Sequence, residues 1–339
     1  MKRLALLCLV ASVCLALSAC KKAEPKKEAK EAKETRKVYK VAVIPKGTSH
    51  VFWQSVHAGV KKAEADLKEA GIEVETMWQG PAKEGQREEQ IRIVEDMILK
   101  KVDAIVLAPL DSKALVPVVE RAAKANIPVV IFDSDIKTDK RVSFVATDNY
   151  LGGIKAAEAM GKILDGKGRV VLVMYNPGSD STENREKGFR DGLKEKFPNM
   201  ELVDEEYGRT TVESAKAVAE DLLKKHTNLD GVFACNESTA VGTIQALKAH
   251  GYVGKVKMVG FDCTPALQRA LTEGVCDALI VQNPFRMGCD GVKKAIDHLK
   301  GKQVPGRVDT GVYVVTRENL KDPEIDAMVN PDLDRWLKE

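Results

Sequence analysis

The chain has 339 residues, 44% of them hydrophobic and 30% charged, with a formal net charge of +3. That length and apolar content suffice for one large domain or two medium ones, each with its own core. The balance of charge gives no basic excess that would point to a nucleic-acid partner.

The first twenty residues, MKRLALLCLVASVCLALSAC, join a short basic start to an apolar run that ends in small residues. The run is shorter than a typical membrane span and reads as an export signal. Its end, Leu17-Ser18-Ala19-Cys20, resembles the bacterial lipobox, which implies cleavage before Cys20 and attachment of lipid to it. Losing Lys2 and Arg3 with the signal takes two charges from the +3 and leaves +1. Acyl chains contribute roughly 0.8 kcal/mol per buried methylene, so more than one chain is needed for a stable anchor. Residues 21–36, KKAEPKKEAKEAKETR, offer nothing that would anchor a core and read as a charged tether. The expected location is exported, periplasmic or cell-surface, held at a membrane through Cys20. Lys21 behind the Cys leaves inner and outer membrane open.

From residue 37 short β-branched runs alternate with amphipathic stretches. Strands are predicted at 38–44, 72–78, 103–108, 127–132, 142–146, 169–174, 229–234, 256–261 and 277–282. Near-continuous apolar runs of this length suit strands covered on both faces, as in parallel sheets. Helix patterns fill the gaps. Residues 55–70 place Val56, Val60, Ala63 and Leu67 on one stripe, and Gly71 ends it. Residues 88–101 are read with Ile91, Val94, Ile98 and Leu99 on the apolar face; 211–226 and 238–251 follow the same pattern. Such alternation predicts an α/β fold with right-handed crossovers. Nine strands are many for one sheet, so two doubly wound lobes are expected, with a divide near ATDNYLGG (146–153).

Ligands of open α/β sheets bind beyond the carboxyl ends of the strands. There the sequence puts Lys46, His50, Phe52 and Trp53 after the first strand, then Asp111, then Asp133 and Ser134, Asn236, Asp262 and Gln282. Asp111, Asp133 and Asp262 also suit helix N-caps. With aromatics at only 5% of the chain, the neighbouring rings of Phe52 and Trp53 call for a function. Four cysteines remain after the signal and Cys20: Cys235, Cys263, Cys276 and Cys289. They show no paired metal-ligand spacing, and their apolar surroundings favour small buried side chains over bridges. No cofactor is expected.

The segments FWQSVHAGVKKAEADL, AIVLAPLDSKAL, ANIPVVIFDSD, VATDNYLGG, NREKGFRDGL, GVFACNESTAVGTIQAL and VGFDCTPALQRALTEG resemble, in order and spacing, the periplasmic sugar-binding proteins of ABC transporters, of the ribose-binding-protein-like type. The resemblance spans 38–315. It implies two lobes joined by three chain crossings, divided as 37–148 with 283–311 and 149–282 with 312–339. It also implies a ligand cleft between the lobes, an ABC permease as partner and a monomeric protein. Phe52 and Trp53 stand where the family places rings against the sugar, and Tyr207 where a third ring comes from the other lobe. Asp133 would accept from hydroxyls and Arg185 would donate. Asn236, Asp262 and Gln282 would complete the polar ring, with Phe261 beneath it.

Four positions depart from the ribose-binding pattern: Lys46, His50, Ala108 and Ser134. Lys46 suggests an anionic sugar derivative, or else a pairing with a cleft carboxylate. IPK and DSD are also similar to autoinducer-2-binding relatives. A sensor protein presenting ligand to a kinase or chemoreceptor is the alternative reading. An exported enzyme is a distant one, because the first turn reads PKGTSHVFW and not G-x-G-x-x-G. The tail, with Ile325, Met328, Leu333 and Trp336, is expected to lie on the second lobe.

Overall fold

The computed structural model describes residues 37–338, and the export signal, Cys20 and the tether lie outside the described residues. The first sheet holds β1 (Val38–Ile44), β2 (Glu73–Trp78), β3 (Ala104–Leu107), β4 (Val129–Phe132), β5 (Ser143–Ala146) and, late in the chain, β11 (Arg307–Asp309). The second holds β6 (Lys167–Met174), β7 (Asn199–Tyr207), β8 (Gly231–Ala234), β9 (Lys257–Phe261), β10 (Ala278–Val281) and β12 (Tyr313–Val315). Their strand orders, β11-β5-β4-β3-β1-β2 and β12-β10-β9-β8-β6-β7, repeat each other position for position. All pairings are parallel except β10–β12. The structure is thus α/β with two doubly wound lobes.

Helices α1 (Val51–Glu69), α2 (Arg87–Leu99), α3 (Val116–Lys124) and α9 (Pro284–Leu299) flank the first sheet. Helices α4 (Asn149–Ile163), α5 (Asp180–Lys196), α6 (Val212–Lys225), α7 (Glu237–Ala249) and α8 (Pro265–Thr272) flank the second. β3, β4, β5, β8 and β10 are buried along their whole length, as strands sandwiched between helix layers must be. Two short helices, α10 (Pro323–Val329) and α11 (Leu333–Leu337), end the described chain.

Several expectations are revised. Three edge strands escape a reading based on apolar runs, β7 because it is polar at half its positions and β11 and β12 because they are only three residues long. α1 starts at Val51, so Phe52 and Trp53 sit in its first turn and not in a loop. The buried face of α2 is Gln90, Ile93, Val94 and Met97, and Leu99 is 79% exposed. Gln90 is drawn inward because its side chain bonds Pro45 O, Ala108 O and Leu110 N, satisfying the backbone at the ends of β1 and β3. The tail does not stay on the second lobe. Ile325 of α10 joins that lobe's core, but α11 packs against α1, with Trp336 6.4 Å from Phe285 of α9.

The chain crosses between lobes at 147–148, 282–283 and 310–312. The first and third crossings are tied together where Thr147 Oγ1 donates to Gly311 O at 2.6 Å and lies 3.4 Å from Thr310 Oγ1. The four cysteines of the described residues are free, and Cys235, Cys276 and Cys289 are buried.

Candidate functional site: a polar hollow between the lobes

The strand ends of both sheets face each other across a polar hollow. Its lining includes Lys46, His50, Phe52, Trp53, Asp133, Arg185, Asn236, Asp262 and Gln282, all expected from the sequence. It also includes Glu84, Tyr175, Ser181, Thr182 and Glu237, which were not.

Two aspartates mark the pseudo-symmetry. Asp133 follows Phe132 at the end of β4, and Asp262 follows Phe261 at the end of β9, the matching strand of the other sheet. Both take left-handed backbone conformations, φ 62° and 73°. Non-glycine residues held there are uncommon and concentrate at functional sites. Neither is a helix N-cap. Asp262 accepts from Gln282 Nε2 at 2.7 Å and from the Glu237 N–H at 2.8 Å. Asp133 meets Lys46 Nζ at 2.8 Å. Asp111, by contrast, does act locally, accepting from the N–H groups of Lys113 and Ala114.

Arg185 is 2% exposed. Its Nε donates to Asn149 Oδ1 at 2.8 Å and its Nη1 to Cys235 O at 3.1 Å, while the guanidinium lies 3.8 Å over the Phe261 ring. That placement depends on how closely α4 approaches α5. A Cβ on Gly153 would fall 2.0 Å from Arg185 O, and one on Gly188 2.1 Å from Tyr150 O. Only glycines let the two helices meet this tightly. Asn236 caps α7 through a reciprocal box with Thr239.

On the first-lobe side, Phe52 and Trp53 meet edge to face at 4.8 Å, and Trp53 meets Phe132 at 6.1 Å. Trp53 Nε1 donates to Glu84 Oε1 at 2.6 Å, and Tyr175 OH donates to the other Glu84 oxygen from the second lobe. The Glu237 carboxylate also crosses, accepting from Phe52 N at 3.0 Å and Val51 N at 3.4 Å. His50, the N-cap of α1, makes no side-chain cap bond, so this carboxylate serves the orphan N–H groups of the first turn. Lys46 reaches Ser179 Oγ and Ser181 Oγ of α5's start at 3.2 and 3.1 Å.

Three predicted residues stand behind the hollow. Ser134 is buried, its Oγ accepting from Ser181 N at 3.0 Å, so it joins the lobes and does not face the space between them. Phe261 lies fully buried beneath Arg185. Tyr207 packs against the second lobe's core. Its strand, β7, is the outer edge of that sheet, whereas Tyr175 directly follows β6, one strand nearer the centre. Tyr175, and not Tyr207, lines the hollow from the second lobe.

The missed residues have an identifiable signal in part. Tyr175 directly follows the run 169–174, and Glu84 lies in the loop after 72–78. The ends of those two strands hold the same information as the others. Glu237 follows Asn236, and nothing local shows that its carboxylate reaches another lobe.

The charges are mutually matched. Burial raises Glu84, but His50, Lys46 and Tyr175 outweigh it and hold the carboxyl at about 2. Burial lowers His50, but Glu84 beside it, helped by Glu237 and Asp262, lifts the imidazole to about 9. Burial raises Asp262 against the pull of Arg185. Glu237 is pushed up to about 7 by burial, opposed by His50 and the Phe52 N–H and assisted by Asp262 and Glu84.

The family model for the periplasmic binding protein domain matches residues 41–303. The chain belongs to the periplasmic binding protein family. This periplasmic binding protein is 33% identical over 287 residues to a D-ribose/D-allose-binding protein of Pseudomonas aeruginosa, an alignment covering 82% of this chain and 88% of the relative. Among solved structures it is similar to a carbohydrate transporter solute-binding protein from Agrobacterium radiobacter in complex with D-arabinose, at 35% identity and a TM-score of 0.81, covering 86% of this chain and 99% of that one. It is equally similar to an ABC transporter solute-binding protein from Agrobacterium vitis with bound D-fucose, at 35% identity and a TM-score of 0.82, with the same coverage.

Proposed function

We propose that this periplasmic binding protein captures a neutral monosaccharide between its lobes and delivers it to an ABC importer, as an exported lipoprotein anchored through Cys20. The observation that carries the reading is the composition of the hollow. Phe52 and Trp53 supply ring surface for a sugar's C–H face. Asp133, Arg185, Asn236, Asp262 and Gln282 supply donors and acceptors for its hydroxyls. Gln282 Oε1 is buried without a hydrogen-bond partner in the protein, and a ligand hydroxyl would satisfy it.

A neutral sugar is favoured over an acid. Lys46, the cation that suggested an anionic ligand, is compensated by Asp133 at 2.8 Å. The hollow holds four carboxyl groups, Glu84, Asp133, Glu237 and Asp262, against Lys46, Arg185 and His50. An added carboxylate would meet four carboxyl groups, and the one cation there without an ion pair among the described residues, Arg185, already bonds Asn149 and the Cys235 carbonyl, so desolvating the acid would be costly.

Capture follows from geometry. Contacts to the ligand come from both lobes, so only approach of the lobes completes them, and the ligand stabilises that state by its differential affinity. A thermal-shift screen of the tether-free domain tests the reading by mass action. D-ribose, D-allose, D-arabinose or D-fucose is expected to raise Tm, with the corresponding aldonic acids doing less. A larger shift from an acid, or none from any neutral sugar, would reject it.

Closure should also take up a proton. When the lobes part, Glu237 returns toward its ordinary value of 4.5, against about 7 when buried. Raised on closing, the group favours the closed state below its open value, and that advantage is lost as pH rises through about 7. Sugar affinity is therefore expected to fall between pH 5 and 8, in the window set by that shift. Glu237→Gln should flatten the profile. A wild-type affinity that is constant over this range would contradict the assignment.

A further inference from the structure

Glu84, like Lys46, bonds protein groups on both sides of the cleft, and its partners there include one ring of the hollow from each lobe. One oxygen accepts from the Trp53 indole at 2.6 Å and lies 3.4 Å from His50 Nδ1, both in the first lobe. The other accepts from Tyr175 OH of the second lobe. Its side chain is 7% exposed. We propose that Glu84 is a positioning residue that couples the sugar-facing ring of Trp53 to lobe closure through Tyr175. The inference rests on the sugar-binding reading and adds to it a residue that sets affinity through other groups.

Glu84 is an acceptor shared by a ring from each lobe. An indole has a single N–H donor, and that donor fixes the ring's rotation when it finds a buried acceptor. A carboxylate that also accepts a phenol O–H is polarised by both, and bonds to a charged acceptor are the stronger kind. When the lobes separate, Tyr175 leaves and only the first-lobe partners remain. The orientation of Trp53 in the hollow is thereby tied to the presence of the second lobe. His50 and Lys46 keep the carboxylate charged in either state, since both belong to the first lobe.

The test is a double-mutant cycle of Glu84→Gln and Tyr175→Phe in the folded soluble chain. It is read by calorimetric titration with D-ribose, D-allose, D-arabinose and D-fucose and by the ¹H–¹⁵N resonance of the Trp53 indole. Tyr175→Phe should weaken sugar binding about tenfold in the wild-type background, the scale of one lost hydrogen bond to a charged group. In the Glu84→Gln background the same change should cost less than about twofold, because coupled groups are non-additive. The indole resonance should move on sugar addition in the wild type and move less in Tyr175→Phe. Equal losses in both backgrounds, or an indole resonance indifferent to Glu84→Gln, would overturn the coupling while leaving sugar binding intact. An indole that responds to both substitutions in a chain that binds none of the four sugars would support the coupling and reject the sugar reading. Both substitutions keep side-chain size, and an unchanged melting curve without sugar confirms that each variant is folded.

Discussion

Replacing Arg185 by alanine is expected to weaken sugar binding by about ten- to a hundredfold, the ~1.5–3 kcal/mol scale of hydrogen bonds made by a charged group. The guanidinium has five N–H donors. One is spent on Asn149 Oδ1 and one on Cys235 O, which hold it rigid, and it lines the hollow with the remainder. Alanine removes those donors and strips Asp262 of the cation that opposes its burial. Asp262 then protonates more readily and becomes a poorer acceptor for a hydroxyl. Lysine should not rescue, because one ammonium on a flexible stem cannot satisfy Asn149, the Cys235 carbonyl and a ligand in a planar fork while resting on Phe261. Calorimetric titration measures the loss, and a melting curve separates it from misfolding. Binding within about threefold of wild type, a difference below 1 kcal/mol, would remove Arg185 from the site.

The second large effect concerns stability. Lys46 is 4% and Asp133 3% exposed, and they meet at 2.8 Å. Lys46→Met leaves a buried carboxylate with no ion-pair partner among the described residues. Breaking a buried pair from one side typically destabilises by about 3–5 kcal/mol, whereas replacing both members can be nearly neutral. Lys46→Met should therefore lower Tm markedly, and Lys46→Met combined with Asp133→Asn should recover most of the loss. Chemical denaturation gives both numbers. If the single and double variants fell equally, the lysine would be acting through Ser179 and Ser181 and not through Asp133. The same pair explains why a cation in a sugar site does not imply an acidic ligand.

Much of this was readable from the amino-acid pattern, for definite reasons. Central strands are apolar on both faces, so β1, β3, β4, β5, β6, β8, β9 and β10 declare themselves as runs. Of the edge strands, β2 was legible at 72–78, but β7 is polar at half its positions and β11 and β12 are three residues long, so none of these three forms an apolar run. The stripe of α1 was legible because Val56, Val60, Ala63 and Leu67 recur at helical spacing. The face of α2 was not, because a buried glutamine that satisfies three backbone groups counts as polar in any hydropathy pattern. In the site, the rule that ligands gather at strand ends located Lys46, Asp133, Asn236, Asp262 and Gln282. The choice of Tyr207 over Tyr175 failed because sequence order does not reveal which strand lies at the sheet's edge. Glu84 and Glu237 draw their roles from the opposite lobe, and no local pattern encodes a partner brought in by the fold.

The central claim, that a neutral monosaccharide is gripped between the two lobes, is tested most directly by a crystal structure of the tether-free domain with the sugar that gives the largest thermal shift. The account predicts one sugar in the interlobe hollow, its ring face against Phe52 and Trp53 and its hydroxyls within hydrogen-bond distance of Asp133, Arg185, Asn236, Asp262 and Gln282. A sugar seated elsewhere, or touching one lobe alone, would contradict it.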